Sequence, residues 1–186
     1  MSYNPFEVPE NLDVKAGEVS ATIILADRGK RFTGAFVDGI LAGGVALGAQ
    51  FATGMLSKLS AGIPVSTTDQ LLQSLIGVGA FLLMHGYLLV KHGQTVGKWL
   101  VGTRIVDAKT RELLPFTRVY IIRYLWLTPL ALIVTFAPPG LAALMSGIGG
   151  FINLLDSLLI FGSQKCCLHD YLAGSIVVNA GKSSQP

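Results

Sequence analysis

The sequence is short of charge. Only 13% of its 186 residues are Asp, Glu, Lys or Arg, whereas soluble domains carry about 25%. The deficit is concentrated in three windows. Residues 32–57 contain a single charge, Asp38, and residues 70–90 and 124–155 contain none if His85 is neutral. Cysteine is also scarce, with only Cys166 and Cys167, adjacent in the chain. A disulfide between neighbours is strained, and two cysteines cannot complete a zinc site without other ligands. Small packing residues are the plain expectation for the pair, with palmitoylation beside a membrane as the sharper alternative. No apolar run precedes Ile23, so no cleavable signal peptide is expected. No nucleophile–base pair or metal-ligand spacing stands out, which argues against an enzyme and against a cofactor or metal. The net charge of +3 is small. It suits an anionic leaflet and does not call for nucleic acid.

What is present is apolar sequence, 51% of the chain. A membrane-spanning helix needs about 20 mostly apolar residues. The first two windows hold one helix each, and Pro138-Pro139-Gly140 divides the third. The expected spans are therefore 34–56, 71–90, 119–136 and 141–161. Four such windows leave too little polar surface to cover a soluble fold. The expected fold is an all-α membrane protein, a four-transmembrane-helix bundle with a small cytoplasmic β-hairpin or sheet. Residues 1–26 form a polar N-terminal segment, 27–180 the membrane domain and 181–186 a tail.

Basic residues orient the bundle. Twelve of the fourteen Lys and Arg lie before span one, between spans two and three, or after span four. The positive-inside rule places those segments, and both termini, on the cytoplasmic side of the inner (cell) membrane.

Strand patterns lie in these polar segments. Residues 20–26, 100–106 and 174–178 read as strands, and these segments are expected to pair into a small cytoplasmic sheet under the bundle. A polar turn at 107–111 followed by Leu113-Leu114-Pro115 predicts a hairpin. Glycines four apart in span one, Gly39 with Gly43 and Gly44 with Gly48, predict close helix packing within the bundle or in a dimer.

Each span carries one ionisable group: Asp38, His85, Arg123 and Asp156. All four fall roughly 6–11 Å along their helices from the cytoplasmic end. Arg31 lies seven residues before Asp38 on the same helical face, and Asn153 extends the polar face of Asp156. A charge in hydrocarbon costs about 2.5–3.5 kcal/mol, so these groups face one another or water. Arg31 and Arg123 can neutralise Asp38 and Asp156 in a network that fixes helix register. Alternatively, Asp38 and Asp156 hold a proton or small cation, with His85 as a relay.

Outside the spans, Gly93-Gln-Thr-Val-Gly-Lys98 superficially resembles a phosphate-binding loop. It has three residues between its glycines instead of four, and Trp99 follows the lysine. The expectation is an interfacial segment, with Trp99 at the headgroups and Lys98 and Arg104 toward anionic lipid. His169-Asp170 is expected to tie the tail to the large loop by a tertiary hydrogen bond.

Three ordered motifs carry a family resemblance. They are Arg31-Phe-Thr-Gly-Ala-Phe-Val-Asp38; Gly93-Gln-Thr-Val-Gly-Lys98 with Gly102-Thr-Arg104-Ile-Val-Asp107; and Cys167-Leu-His-Asp170-Tyr-Leu-Ala-Gly174-Ser175. Over about residues 26–180 the chain resembles the RDD family of prokaryotic membrane proteins. That family is named for an arginine at the start of its first helix, an aspartate within it and a second aspartate in a later helix. Arg31, Asp38 and Asp156 match these positions. The family description puts the second aspartate in the third helix, whereas the span count here puts Asp156 in the fourth. The resemblance implies a membrane protein of unassigned function, for which transport of an unknown ligand or cation–proton exchange has been proposed.

Two functions follow as expectations. The first is a small transporter or ion-translocating protein, working as a homo-oligomer because four helices enclose little volume. The second is a non-transporting membrane scaffold or assembly factor that uses its cytoplasmic surface.

Overall fold

The computed structural model describes residues 24–162 and 166–180, except the side chain of Pro139. The polar segment before Ile24 and the tail after Ala180 lie outside the described residues, as does most of the expected strand at 20–26.

Helix α1 spans Arg28–Ala52 and stops at Thr53. Gly54 follows at φ 71°, a left-handed turn that glycine adopts without steric cost, and starts the short α2, Met55–Ser60. Helix α3, Thr67–His92, begins with a reciprocal cap: the Ser66 hydroxyl accepts from Asp69 N–H and the Asp69 carboxylate accepts from Ser66 N–H. Lys58 reaches Asp69 at 2.7 Å and ties α2 to this end of α3. The other end closes on Gly93 at φ 64°, where a Cβ would stand 2.6 Å from the Ile105 carbonyl oxygen. Thr95 then caps α4, Val96–Leu100, by accepting from Lys98 N–H.

The third expected span is not one continuous helix. A wide-turned π segment, Arg118–Tyr124, and α5, Thr128–Phe136, meet at a bend of 55°. Pro129 accounts for the break. It has no N–H to return to Leu125, and its ring collides with that carbonyl in a regular helix. Pro138 and Pro139 make the next corner and start α6, Pro139–Leu158, which tightens into a 3₁₀ turn at Leu159–Phe161. Among the described residues three helices are long and apolar enough to cross a membrane, or four if the bent pair counts as one span.

The expected sheet is present, and two of the expected segments form its strands. Strand β1, Thr103–Asp107, pairs antiparallel with β2, Ser175–Asn179, with Ile105 opposite Val177 and Val106 opposite Ile176. The expected hairpin within the large loop contracts to one bridge, Val106 with Leu113, because Pro115 cannot donate to a continuing ladder. Leu25 bridges Val178 on the free edge of β2.

The core of the molecule sits at this sheet end. Leu89, Ile105, Leu114, Val119 and Val177 pack on one face, and Val106, Ala108, Cys166, Ile176 and Val178 on the other. Helix α7, Leu168–Ala173, lies between α6 and β2 in sequence and packs on the π segment. Along the long helices the apolar side chains point outward, as Phe51 and Leu83 do at 79% and 87% exposure. Such a surface is stable against lipid and costly against water. Among the described residues nothing lies within 4 Å of where a Cβ would stand on Gly39, Gly43, Gly44 or Gly48, so these residues do not show the expected packing of those glycines within the bundle.

Candidate functional site

Asp170 is the hub of the polar side chains at the sheet end. Its side chain is fully buried. The Cys167 backbone N–H donates to Oδ2 at 3.2 Å, so Asp170 supplies the carboxylate of the capping box that starts α7 at Cys167. Arg31, at the start of α1, donates to the same oxygen at 2.5 Å. Arg123, buried in the π segment, donates to Oδ1 and to Ser175 Oγ, the latter at 2.6 Å. The arginines are thus committed to Asp170. They do not pair with Asp38 and Asp156, as charge balance alone suggested. Asp170, a candidate on the cytoplasmic side expected to tie the tail to the large loop, is interior and joins α7 to α1 and the π segment instead.

Asp156, on α6, is 5% exposed and holds the start of α7 from the other side. Its Oδ1 accepts the His169 backbone N–H at 2.9 Å, and its Oδ2 stands 2.6 Å from His169 Nδ1. Burial and the nearby Arg123 charge push the His169 pKa down to about 4, against the opposing pull of Asp156. The ring is therefore neutral at neutral pH. A carboxylate oxygen only accepts, so Nδ1 carries the proton and Nε2 keeps a lone pair. With a neutral ring, the contact between His169 and Asp156 is a hydrogen bond and not an ion pair. The expected link from His169 to the large loop is in fact a link to α6.

Asp38 belongs to a second cluster. Its carboxylate accepts from Thr95 Oγ1 at 2.5 Å and from Gly97 N–H at 2.7 Å, with Lys98 Nζ at 3.9 Å. The neighbouring Val96 N–H donates to His85 Nδ1 at 3.2 Å, and the His85 ring packs edge-on against Phe81. A Cβ on Gly97 would fall 2.0 Å from the Gly34 carbonyl oxygen. The Gly-Gln-Thr-Val-Gly-Lys motif is therefore a helix-crossing device. Its N–H groups serve a carboxylate and a histidine of the same chain.

Two cavities flank α1. One of about 1150 Å³ separates α1 from α6 at the sheet end. Its polar lining is Arg28, Arg31, Asp38, Lys98, Arg123, Asp156, Ser157 and His169, and its walls include Phe32, Phe36, Leu154 and Leu158. The other, about 460 Å³, lies between α1 and α3 toward α2, and extends past Gln50, Gln70 and Gln73 to His85. Lys98 thus faces a cavity, whereas Trp99 and Arg104 are exposed. Asn153 is exposed and does not line the groove near Asp156. Cys166 and Cys167 are free thiols, 3% and 5% exposed, and burial pushes both of their pKa values up.

Thr95, Gly97, Ser175 and Cys167 were not singled out as site residues by sequence reasoning. Each lies inside a quoted motif, but only the fold shows which partner it meets.

No curated protein and no solved structure shows significant similarity to the chain. A family model described as RDD family matches residues 25–174. The match contains all three motifs except Ser175 of the last. Asp156 lies on the last of the three long apolar helices, which is the fourth span if the bent pair before it counts as one. With its motifs, apolar helices and matched span in agreement, the chain belongs to the RDD family.

Proposed function

We propose that this membrane protein is a small transporter that moves a proton or small cation, with no chemical transformation of its cargo. One observation carries the reading. The two cavities line successive stretches of α1, residues 42–50 and residues 28–40, and the Val96–Gly97 backbone forms a layer that touches a lining residue of each. His85 lines the cavity on the α2 side, Asp38 lines the one at the sheet end, and the Val96–Gly97 backbone hydrogen-bonds to both. A cation crossing this layer meets an imidazole on one side and a carboxylate on the other, and Lys98 is near enough to Asp38 to compete with it. Alternating access needs two half-paths separated by a barrier that a small displacement can open. The close Gly34–Gly97 crossing is a fitting hinge for it.

The proposed setting is the inner membrane, with the sheet end and both termini cytoplasmic. In its support, Arg28, Lys30, Arg31, Lys91, Lys98, Arg104, Lys109, Arg111 and Arg118 cluster at or near the sheet end, whereas Lys58 lies at the α2 end. A homo-oligomer belongs to the same reading, and the uncovered glycine face of α1 is available for it. The second reading is a scaffold or assembly factor, favoured by the burial of the Arg31–Asp170–Arg123 contact, which ties three elements together without needing a cargo.

Flux separates them. Purified protein in sealed vesicles should carry protons or an alkali cation down an imposed gradient, and Asp38→Asn should lower that rate by about tenfold or more while the protein stays folded. Vesicles that remain tight to protons, Na⁺ and K⁺ with wild-type protein would sink the transport reading in favour of the scaffold.

A further inference from the structure

Asp156, Cys167 and His169 converge from two elements, α6 and the start of α7. A carboxylate oxygen, the Cys167 Sγ and a ring nitrogen lie within 4.8 Å of one another. We propose that these three side chains bind a divalent cation of the zinc class at the sheet end of the groove. The donor set selects the class. Oxygen, nitrogen and sulfur together suit a borderline ion such as Zn²⁺, whereas Mg²⁺ and Ca²⁺ take oxygen alone.

The ligands are held before any ion arrives. Asp156 is fixed by two hydrogen bonds from His169, and Cys167 by its place at the cap of α7. Ligand atoms around a tetrahedral zinc stand about 3.5 Å apart, so the three donors need only a small contraction. His169 binds the ion as the neutral imidazole, through a ring nitrogen that carries no proton. Cys167 is a thiol and must lose its proton. The S–H bond breaks, an S–metal bond forms and the proton leaves through the groove, so the local charge rises by one as M²⁺ enters.

The two arginines do not forbid this. Asp170 already offsets one of their charges, and Arg31 Nη2, 3.6 Å from Cys167 Sγ, favours the thiolate that forms. Asp156 and Cys167 both line the groove, which gives the ion a route in and leaves a coordination position facing the cavity. Three protein ligands and one open position suit exchange of the ion or a ligand on it more than a closed structural site. This site shares the groove with the proposed transport path but does not depend on transport, since binding is read at equilibrium.

The test uses the full chain in detergent, freed of metal by a chelator and titrated with Co²⁺ as a spectroscopic stand-in for Zn²⁺. Wild type should take up one Co²⁺ per chain, show a thiolate-to-metal charge-transfer band in the near ultraviolet, and lose the band when Zn²⁺ displaces the cobalt. Cys167→Ser should abolish the band and Cys166→Ser should keep it. Absence of stoichiometric Co²⁺ binding by wild type, or a band that survives Cys167→Ser, overturns the site. Should Cys167→Ser fail to fold, His169→Gln decides, with an affinity loss of about tenfold or more expected and an unchanged affinity fatal to the proposal. A chain that binds Co²⁺ in this way and passes no cation overturns the transport reading alone. One that passes protons or Na⁺ and binds no Co²⁺ overturns the metal site alone.

Discussion

Two guanidinium groups, from Arg31 and Arg123, share the single carboxylate of Asp170, whose side chain has no solvent exposure. Removing one partner of a buried ion pair strands the others without water or a counter-charge. Asp170→Asn keeps the volume and removes the charge, and should destabilise the protein by about 3–5 kcal/mol. Lys58→Ala at the other end breaks a pair whose lysine is 39% exposed, and should cost no more than about 1 kcal/mol. Thermal unfolding of both variants in the same detergent measures the contrast, and similar losses in the two would show that Asp170 is not the hub. His169-Asp170 was legible as a polar pair making a tertiary contact, but its depth was not. A dipeptide in a polar segment carries no period from which burial can be read, and the two carboxylates within the spans drew the arginines on grounds of charge balance at a shared depth.

At the scale of elements, the crossing of α1 and α4 depends on Gly34 and Gly97. Gly97→Ala puts a methyl group into the Gly34 carbonyl, which α1 can relieve only by moving away. The expected cost is about 1–3 kcal/mol, as for overpacking elsewhere, with loss of the Asp38–Gly97 hydrogen bond. Gly43→Ala enters open space on the same helix and should change stability by less than about 1 kcal/mol, in the stabilising direction because alanine is the better helix former. Paired unfolding curves test this, and an equal cost at both positions would contradict the crossing. The sequence pointed to the run of glycines in span one as the packing motif. The working glycine is in the other motif, in a helix of five residues, because close approach depends on what stands opposite and not on spacing alone. The bend at Leu125–Leu127 was missed for a similar reason. Pro129 is visible in the sequence, but the uncharged stretch around it reads as one long apolar window, and hydropathy does not register a missing N–H.

For the whole molecule, an apolar exterior surrounds a buried core at one end only. A nitroxide placed at Leu83, 87% exposed on α3, should be reached by oxygen and shielded from a polar relaxing agent once the protein is in a bilayer. A label at Arg104, exposed on β1, should show the reverse. Equal access of the polar agent to both would remove Leu83 from the lipid-facing surface. The membrane class, the apolar windows and the residues of the family motifs were determined by the sequence itself, since they follow from composition and order along the chain. Charge is scarce, so each span carries a conspicuous ionisable group, and every such group lies in or beside a motif or cavity. Only the tertiary structure decided their partners. It commits both arginines to Asp170, sets Asp156 beside His169 and Cys167, places Asp38 on the backbone of α4, and turns four expected spans into three continuous helices and one bent pair. The reason is distance in space. Hydrogen bonds and ion pairs are made over a few ångströms between residues far apart in the chain, 139 positions for Arg31 and Asp170, and local patterns do not encode such meetings.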